Sequence, residues 1–214
     1  MTMPSSRQAV LAGLLALFAS GCGRQNVSSD GYQARLARGV GDSVRVAARG
    51  SRTRLTETME GQLFATVRRP DLGKTWFWRP LGPPSDKVVE SPLRTLSYEE
   101  YWTRSPPSTD FDIQRYSRLF QGSARVRDRL VFEQHPCEIW EVTHFDGRVE
   151  RIWRATDLGG LPVRIQRGIL IPSPTRDDAK ELMITQEVQL LEITPGAPAE
   201  LFEPPPGKTT ASGE

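Results

Sequence analysis

The chain has 214 residues, with 28 basic and 26 acidic side chains and a formal net charge of +2. That length suits one domain of ordinary size with short appendages. A nearly neutral, interspersed charge gives no footprint for nucleic acid or for a strongly acidic partner.

The N-terminus carries one basic residue, Arg7, and then an uncharged apolar run from Ala9 to Ser20. A basic start, a short apolar segment and small residues at its end make a secretory signal peptide over residues 1–21. The run is too short for a bilayer, which needs about 20 apolar residues. Ala19-Ser20-Gly21-Cys22 resembles the lipobox of bacterial lipoproteins, whose cysteine is acylated and becomes the new N-terminus. Cys22 is therefore the expected lipidation site. Each buried CH₂ of an acyl chain adds about 0.8 kcal/mol, so several chains such as palmitate anchor firmly. Gly23 rather than Asp follows the cysteine. By the same resemblance, the expected location is the periplasm-facing side of the outer membrane of a Gram-negative bacterium.

Residues 22–39 are small and polar and read as a flexible tether, with a short helical turn at Tyr32–Ala37. From Val40 onward apolar residues alternate with polar ones, the pattern of strands with one wet face. Val44 and Val46 open this pattern, Thr53, Leu55 and Glu57 continue it, and Leu63, Ala65 and Val67 follow. Arg69-Pro70-Asp71-Leu72-Gly73 is turn chemistry before the aromatic strand Lys74–Arg79, and Asp86–Ser91 offers a further strand. Between Leu93 and Gln121 the spacing turns helical, with Leu96, Tyr98, Tyr101 and Trp102 in one segment. A second helix is expected over Phe111–Phe120, after a break at Pro106–Asp110.

Strands return at Ala124–Gln134 and Cys137–Phe145. Asp146-Gly147 is a strong hairpin signal and pairs the latter with Val149–Ala155. Leu161–Arg167 and Glu181–Thr194 complete the set, and residues 206–214 read as a disordered tail. The expected fold is α+β and mainly antiparallel: a curved, unclosed half-barrel over residues 40–205, with short helices plugging its concave face.

Enzyme motifs are mostly absent, and there is no Gly-x-Ser-x-Gly elbow. Gly73-Lys74-Thr75 and Gly207-Lys208-Thr209 lack the earlier glycine of a phosphate loop, since Arg68 and Phe202 hold those positions. His135, Cys137 and His144 do not form a zinc set, because His144 has the opposite strand parity and a fourth ligand is missing. No catalytic residue, metal or cofactor is expected. Cys137 suits a small buried apolar residue, with a reactive thiol as the sharper alternative. Trp76 and Trp78 share a strand face, and Trp140 and Trp153 lie on the two strands of one hairpin. Two roles suit these four tryptophans: aromatic pairs that stabilise the sheet, or walls of an apolar cavity for an acyl chain. Arginines at 45, 52, 54, 68, 69 and 79 suit either a solvated face or a rim for anionic headgroups.

Three short stretches carry a family resemblance: Arg69–Pro80, Ile152–Val163 and Leu201–Gly207. Their order and spacing resemble the outer-membrane lipoprotein-sorting (LolA/LolB-like) superfamily. The resemblance implies an unclosed, strongly curved antiparallel sheet with helices on its concave side, and periplasmic handling of lipids or lipoproteins. The expected function is a non-catalytic, lipid-anchored protein that binds or carries a hydrophobic ligand. The alternative is an envelope interaction protein that docks another membrane component and holds no ligand.

Overall fold

A computed structural model of the chain describes residues 27–83, 85–175 and 180–212. The signal segment and Cys22 lie outside the described residues. Twelve strands form one sheet. In chain order they are β1 (Tyr32–Ala37), β2 (Ser43–Arg49), β3 (Arg52–Met59), β4 (Gln62–Arg69), β5 (Lys74–Trp78), β6 (Val88–Pro92), β7 (Ser123–Phe132), β8 (His135–Thr143), β9 (Arg148–Ala155), β10 (Leu161–Pro172), β11 (Lys180–Pro195) and β12 (Thr210–Ser212). A single helical turn, α1 (Val27–Asp30), precedes them, and α2 (Tyr101–Arg104) and α3 (Ile113–Leu119) lie between β6 and β7.

The spatial order is β12-β6-β5-β4-β3-β2-β1-β11-β10-β9-β8-β7, and the sheet is curved and unclosed. It is two antiparallel meanders, β1–β6 and β7–β11, joined where β1 pairs with β11. Among the described residues only β12 pairs in parallel, along β6. This topology explains the helices. β6 lies near one end of the sheet and β7 at the other, so the connection between them must cross a whole face. The segment 93–122 does so and carries α2 and α3 over that face, called here the inner one.

Several elements differ from the sequence reading, and the first expected helix is a single turn, α2, that leaves Leu96 and Tyr98 outside it. Residues 32–37, expected at the end of a tether, form β1 at the centre of the sheet, where Tyr32 and Leu36 are fully buried. Their period-two spacing outweighs the polar residues around them, because both neighbouring strands offer hydrogen-bonding edges. Residues 210–212, expected within a disordered tail, form β12 against the otherwise open edge of β6. The Asp146-Gly147 hairpin forms as expected, with Gly147 at φ 82°. The second helix begins at Ile113, because Asp112 rather than an earlier residue caps it and accepts from the amides of Gln114 and Arg115.

Register fixes which side chains share a face, since directly opposed residues point the same way. The row Tyr32–Ala48–Thr53–Arg68–Thr75–Ser91 runs across β1–β6 on the inner face. Tyr32 marks the side, because its hydroxyl donates to the Pro107 carbonyl of the crossing segment at 2.6 Å. The neighbouring inner row is Ala34–Val46–Leu55–Thr66–Phe77–Val89. Ala47, Val67 and Trp76 lie on the outer face.

Candidate functional site

The inner face is divided into a plugged half and an open half. In the plugged half the row Gln186–Arg167–Glu150–Val142–Ala124 faces α2 and α3. Glu150 is fully buried there. Its carboxylate accepts from Tyr116 Oη at 2.5 Å, Arg167 Nε at 2.8 Å and Trp102 Nε1 at 3.3 Å, and it lies 3.2 Å from His144 Nε2. Burial works against the charged carboxylate, but His144, Arg167 and Tyr116 outweigh it and lower the Glu150 pKa. Tyr98 stacks under the Arg167 guanidinium at 4.0 Å and meets His144 edge-on at 4.5 Å. Around this polar knot Tyr101, Trp102, Phe111, Tyr116 and Phe120 form a continuous aromatic cluster. A bulge between Arg167 and Gly168 adjusts this part of β10. Only glycine fits there, since a Cβ on Gly168 would lie 2.0 Å from the Met183 carbonyl oxygen.

In the open half, a groove runs between the crossing segment and β3–β6. A cavity of about 540 Å³ is walled by Leu55, Met59, Phe77 and Leu96, with the hydroxyls of Thr66, Thr75 and Ser91 among them. A second cavity, of about 420 Å³, extends toward α3 and shares Arg68, Arg94 and Leu96 with the first. Phe64, two residues before Thr66 on the same face of β4, stacks on Phe77 with ring centres 5.0 Å apart and adds apolar surface there. Arg38, Glu57 and Arg104 also line the larger cavity, with Glu57 paired to Arg38.

The four tryptophans do not converge on this groove. Trp76 and Trp78 are buried on the outer face with Ala65, Val67, Val88, Ala197 and Phe202. The chain's own return after β11, including a 3-10 turn at Ala199–Phe202, covers them. Arg69 fastens that cover: it donates to the Phe202 carbonyl at 3.2 Å, pairs with Asp71 and Glu203, and lies 5.6 Å from the Trp76 ring centre. The first and third of the stretches that carry the family resemblance thus meet in one outer-face contact. Trp140 and Trp153 do not meet across their hairpin. Trp140 pairs with Ile152 and Trp153 with Ile139, which puts the two rings on opposite faces. Trp153 lies under Arg164 at 5.0 Å on the outer side, and Trp140 under Arg154 at 5.8 Å on the inner side.

Cys137 is buried, and burial pushes its thiol up to about 11. His135 Nδ1 lies 2.8 Å from Asp157 Oδ2, and His144 belongs to the Glu150 knot, so the two histidines serve different contacts. Glu150 and Arg167 were not singled out in the sequence. The available signal was parity: Glu150 shares a face with Ile152, and Arg167 with Ile165.

No family model and no curated protein matches the chain. Among solved structures, an uncharacterised conserved protein of Thermus thermophilus is 13% identical with a TM-score of 0.49, over 86% of this chain and 91% of that one. The Pseudomonas aeruginosa MucA/MucB complex gives 12% identity and a TM-score of 0.49, over 86% of this chain and 59% of that one. A LolA superfamily protein of Nitrosomonas europaea gives 10% identity and a TM-score of 0.32, over 85% of this chain and 93% of that one. These likenesses are too distant to carry a function across, and the functional reading rests on the groove itself.

Proposed function

We propose that the chain is a non-catalytic envelope protein, anchored to the outer membrane through a lipidated Cys22, that binds a hydrophobic ligand on the inner face of its sheet. The ligand is an acyl chain, a lipid or the acylated end of a lipoprotein. The observation that carries this reading is the open half of the inner face. Its larger cavity, about 540 Å³, lies within the range of ligand pockets, about 300–1,000 Å³. Apolar walls beside a few hydroxyl and guanidinium groups suit an amphiphile, and the lining carboxylate of Glu57 is already paired with Arg38. The walls are Leu55, Phe77 and Leu96 rather than the tryptophans. The absence of catalysis is part of the proposal and is supported at Cys137, whose raised pKa is the opposite of an activated nucleophile.

The test uses the chain with Cys22→Ser, so that no acyl group is attached. Solvent extraction of the purified protein, followed by mass spectrometry, is expected to recover lipid. Titration with a fluorescent polyene fatty acid is expected to saturate at one site. Finding neither overturns the reading.

A second reading has its own support. β7 is the last strand of the sheet, and its Val126, Leu130 and Val131 are exposed. A free, partly apolar strand edge suits addition of an extended segment from a protein partner. Crosslinking from β7 that recovers one recurrent envelope protein favours this docking role.

A further inference from the structure

The open half of the inner face is not uniformly apolar. Its two rows differ in chemistry, and the difference is set by register. One row, Leu55–Thr66–Phe77–Val89, is mainly apolar. The next, Thr53–Arg68–Thr75–Ser91, is three hydroxyl residues around one arginine, with no acidic side chain in it. Along each strand the rows are two residues apart, about 6.5 Å.

Arg68 differs from the other arginines that line the larger cavity. Arg38 pairs with Asp42 and Glu57, and Arg94 and Arg104 both pair with Glu100. Among the described residues Arg68 has no carboxylate at ion-pair distance, and its one side-chain hydrogen bond runs from Nη2 to the Arg94 carbonyl at 3.1 Å. It stands where the two cavities join and contributes to the walls of both. Burial, and then the nearby Arg94, make its charged form less favourable than that of an ordinary arginine. A half-buried guanidinium with spare donors is costly unless an anion accepts from it.

We propose that Arg68, with Thr53, Thr75 and Ser91, is the headgroup site for an anionic amphiphile whose apolar part lies along Leu55, Thr66 and Phe77. The headgroup is a carboxylate or a phosphate monoester, since both accept from a guanidinium fork and from hydroxyls. This rests on the reading that the groove holds an apolar ligand, and it names that ligand's class.

The test displaces a bound fluorescent polyene from the full chain carrying Cys22→Ser, using hexadecanoate, hexadecyl phosphate and hexadecanol. The two anions are expected to bind at least about tenfold more tightly than the alcohol, as a charge-assisted hydrogen-bonded pair provides. Arg68→Gln is expected to bind all three at the level of the alcohol, while Arg68→Lys keeps part of the preference. Tighter binding of the phosphate than of the carboxylate points to a phospholipid-type headgroup, and the reverse to a free fatty acid. Either order supports the site. Equal binding of acid and alcohol, or a preference that survives Arg68→Gln, overturns the headgroup site and leaves the apolar groove standing. Binding of none of the three overturns both.

Discussion

Tyr116 in α3 donates a 2.5 Å hydrogen bond to Glu150 in β9, 34 residues further along the chain, and both are buried. This contact pins the crossing segment to the sheet. The same carboxylate takes Trp102 from α2 and Arg167 from the next strand, so one side chain joins two helices and two strands. Removing it strands the Arg167 charge in a buried site. Glu150→Ala is therefore expected to cost about 3–5 kcal/mol of stability. Chemical denaturation measures this, and Tyr116→Phe, which removes one donor and leaves Arg167 paired, is expected to cost less, about 1.5–3 kcal/mol.

The knot also makes stability depend on acid. The folded-state pKa of Glu150 is below its ordinary value, and so is that of Glu141, where burial is outweighed by Arg125 and Arg127. A carboxylate with a depressed folded pKa contributes stability that is complete above its unfolded pKa, about 4.3, and is lost as pH falls toward the folded value. Melting temperatures are expected to be flat from neutral pH down to about 5 and then to drop. Glu150→Gln is expected to shallow that drop, which a series of thermal melts across pH checks.

The outer face predicts a separation of stability from binding. Phe202 is fully buried against Trp76 and Trp78, on the side of the sheet away from the groove. Phe202→Ala is expected to lose about 3–5 kcal/mol through the cavity it leaves. Trp76→Phe and Trp78→Phe are expected to leave ligand affinity unchanged. A fluorescent fatty-acid titration on these two variants checks that the outer aromatic cluster is structural.

Cys137 is expected to be inert. Its thiol, pushed up to about 11 by burial, holds very little thiolate at neutral pH. In the folded protein, with Cys22→Ser, a thiol-reactive dye should label Cys137 slowly and then quickly after denaturation. Fast labelling of the folded chain would contradict the buried placement.

Much of the sheet could be read from period-two spacing, and the hairpin at Asp146-Gly147 was visible in its two turn residues. What sequence could not supply was sidedness. Trp76 and Trp78 share a face, as their spacing requires, but which face depends on where residues 196–206 return, and that is a long-range matter. The hairpin tryptophans were separated by a register that places Trp140 opposite Ile152. β1 was obscured because its core residues Tyr32, Ala34 and Leu36 are few and sit among polar neighbours. Glu150 sits beside the charged Arg151, and Arg167 between Gln166 and Gly168, and only their face-sharing with Ile152 and Ile165 marks them as buried. Arg68 was one of six arginines offered as a rim. Its distinction, a place in an inner row without an acid, exists only once β3, β4, β5 and β6 are paired.

The most direct test of the central claim is to fill the groove and measure binding. Thr66 is at the middle of the inner apolar row, between Leu55 and Phe77. A Thr66→Trp chain that keeps its melting temperature is expected to lose at least about tenfold in affinity for a fluorescent fatty acid, since the bulky ring occupies the ligand's place. Unchanged affinity in that variant would contradict the account, because the ligand would then lie outside the groove.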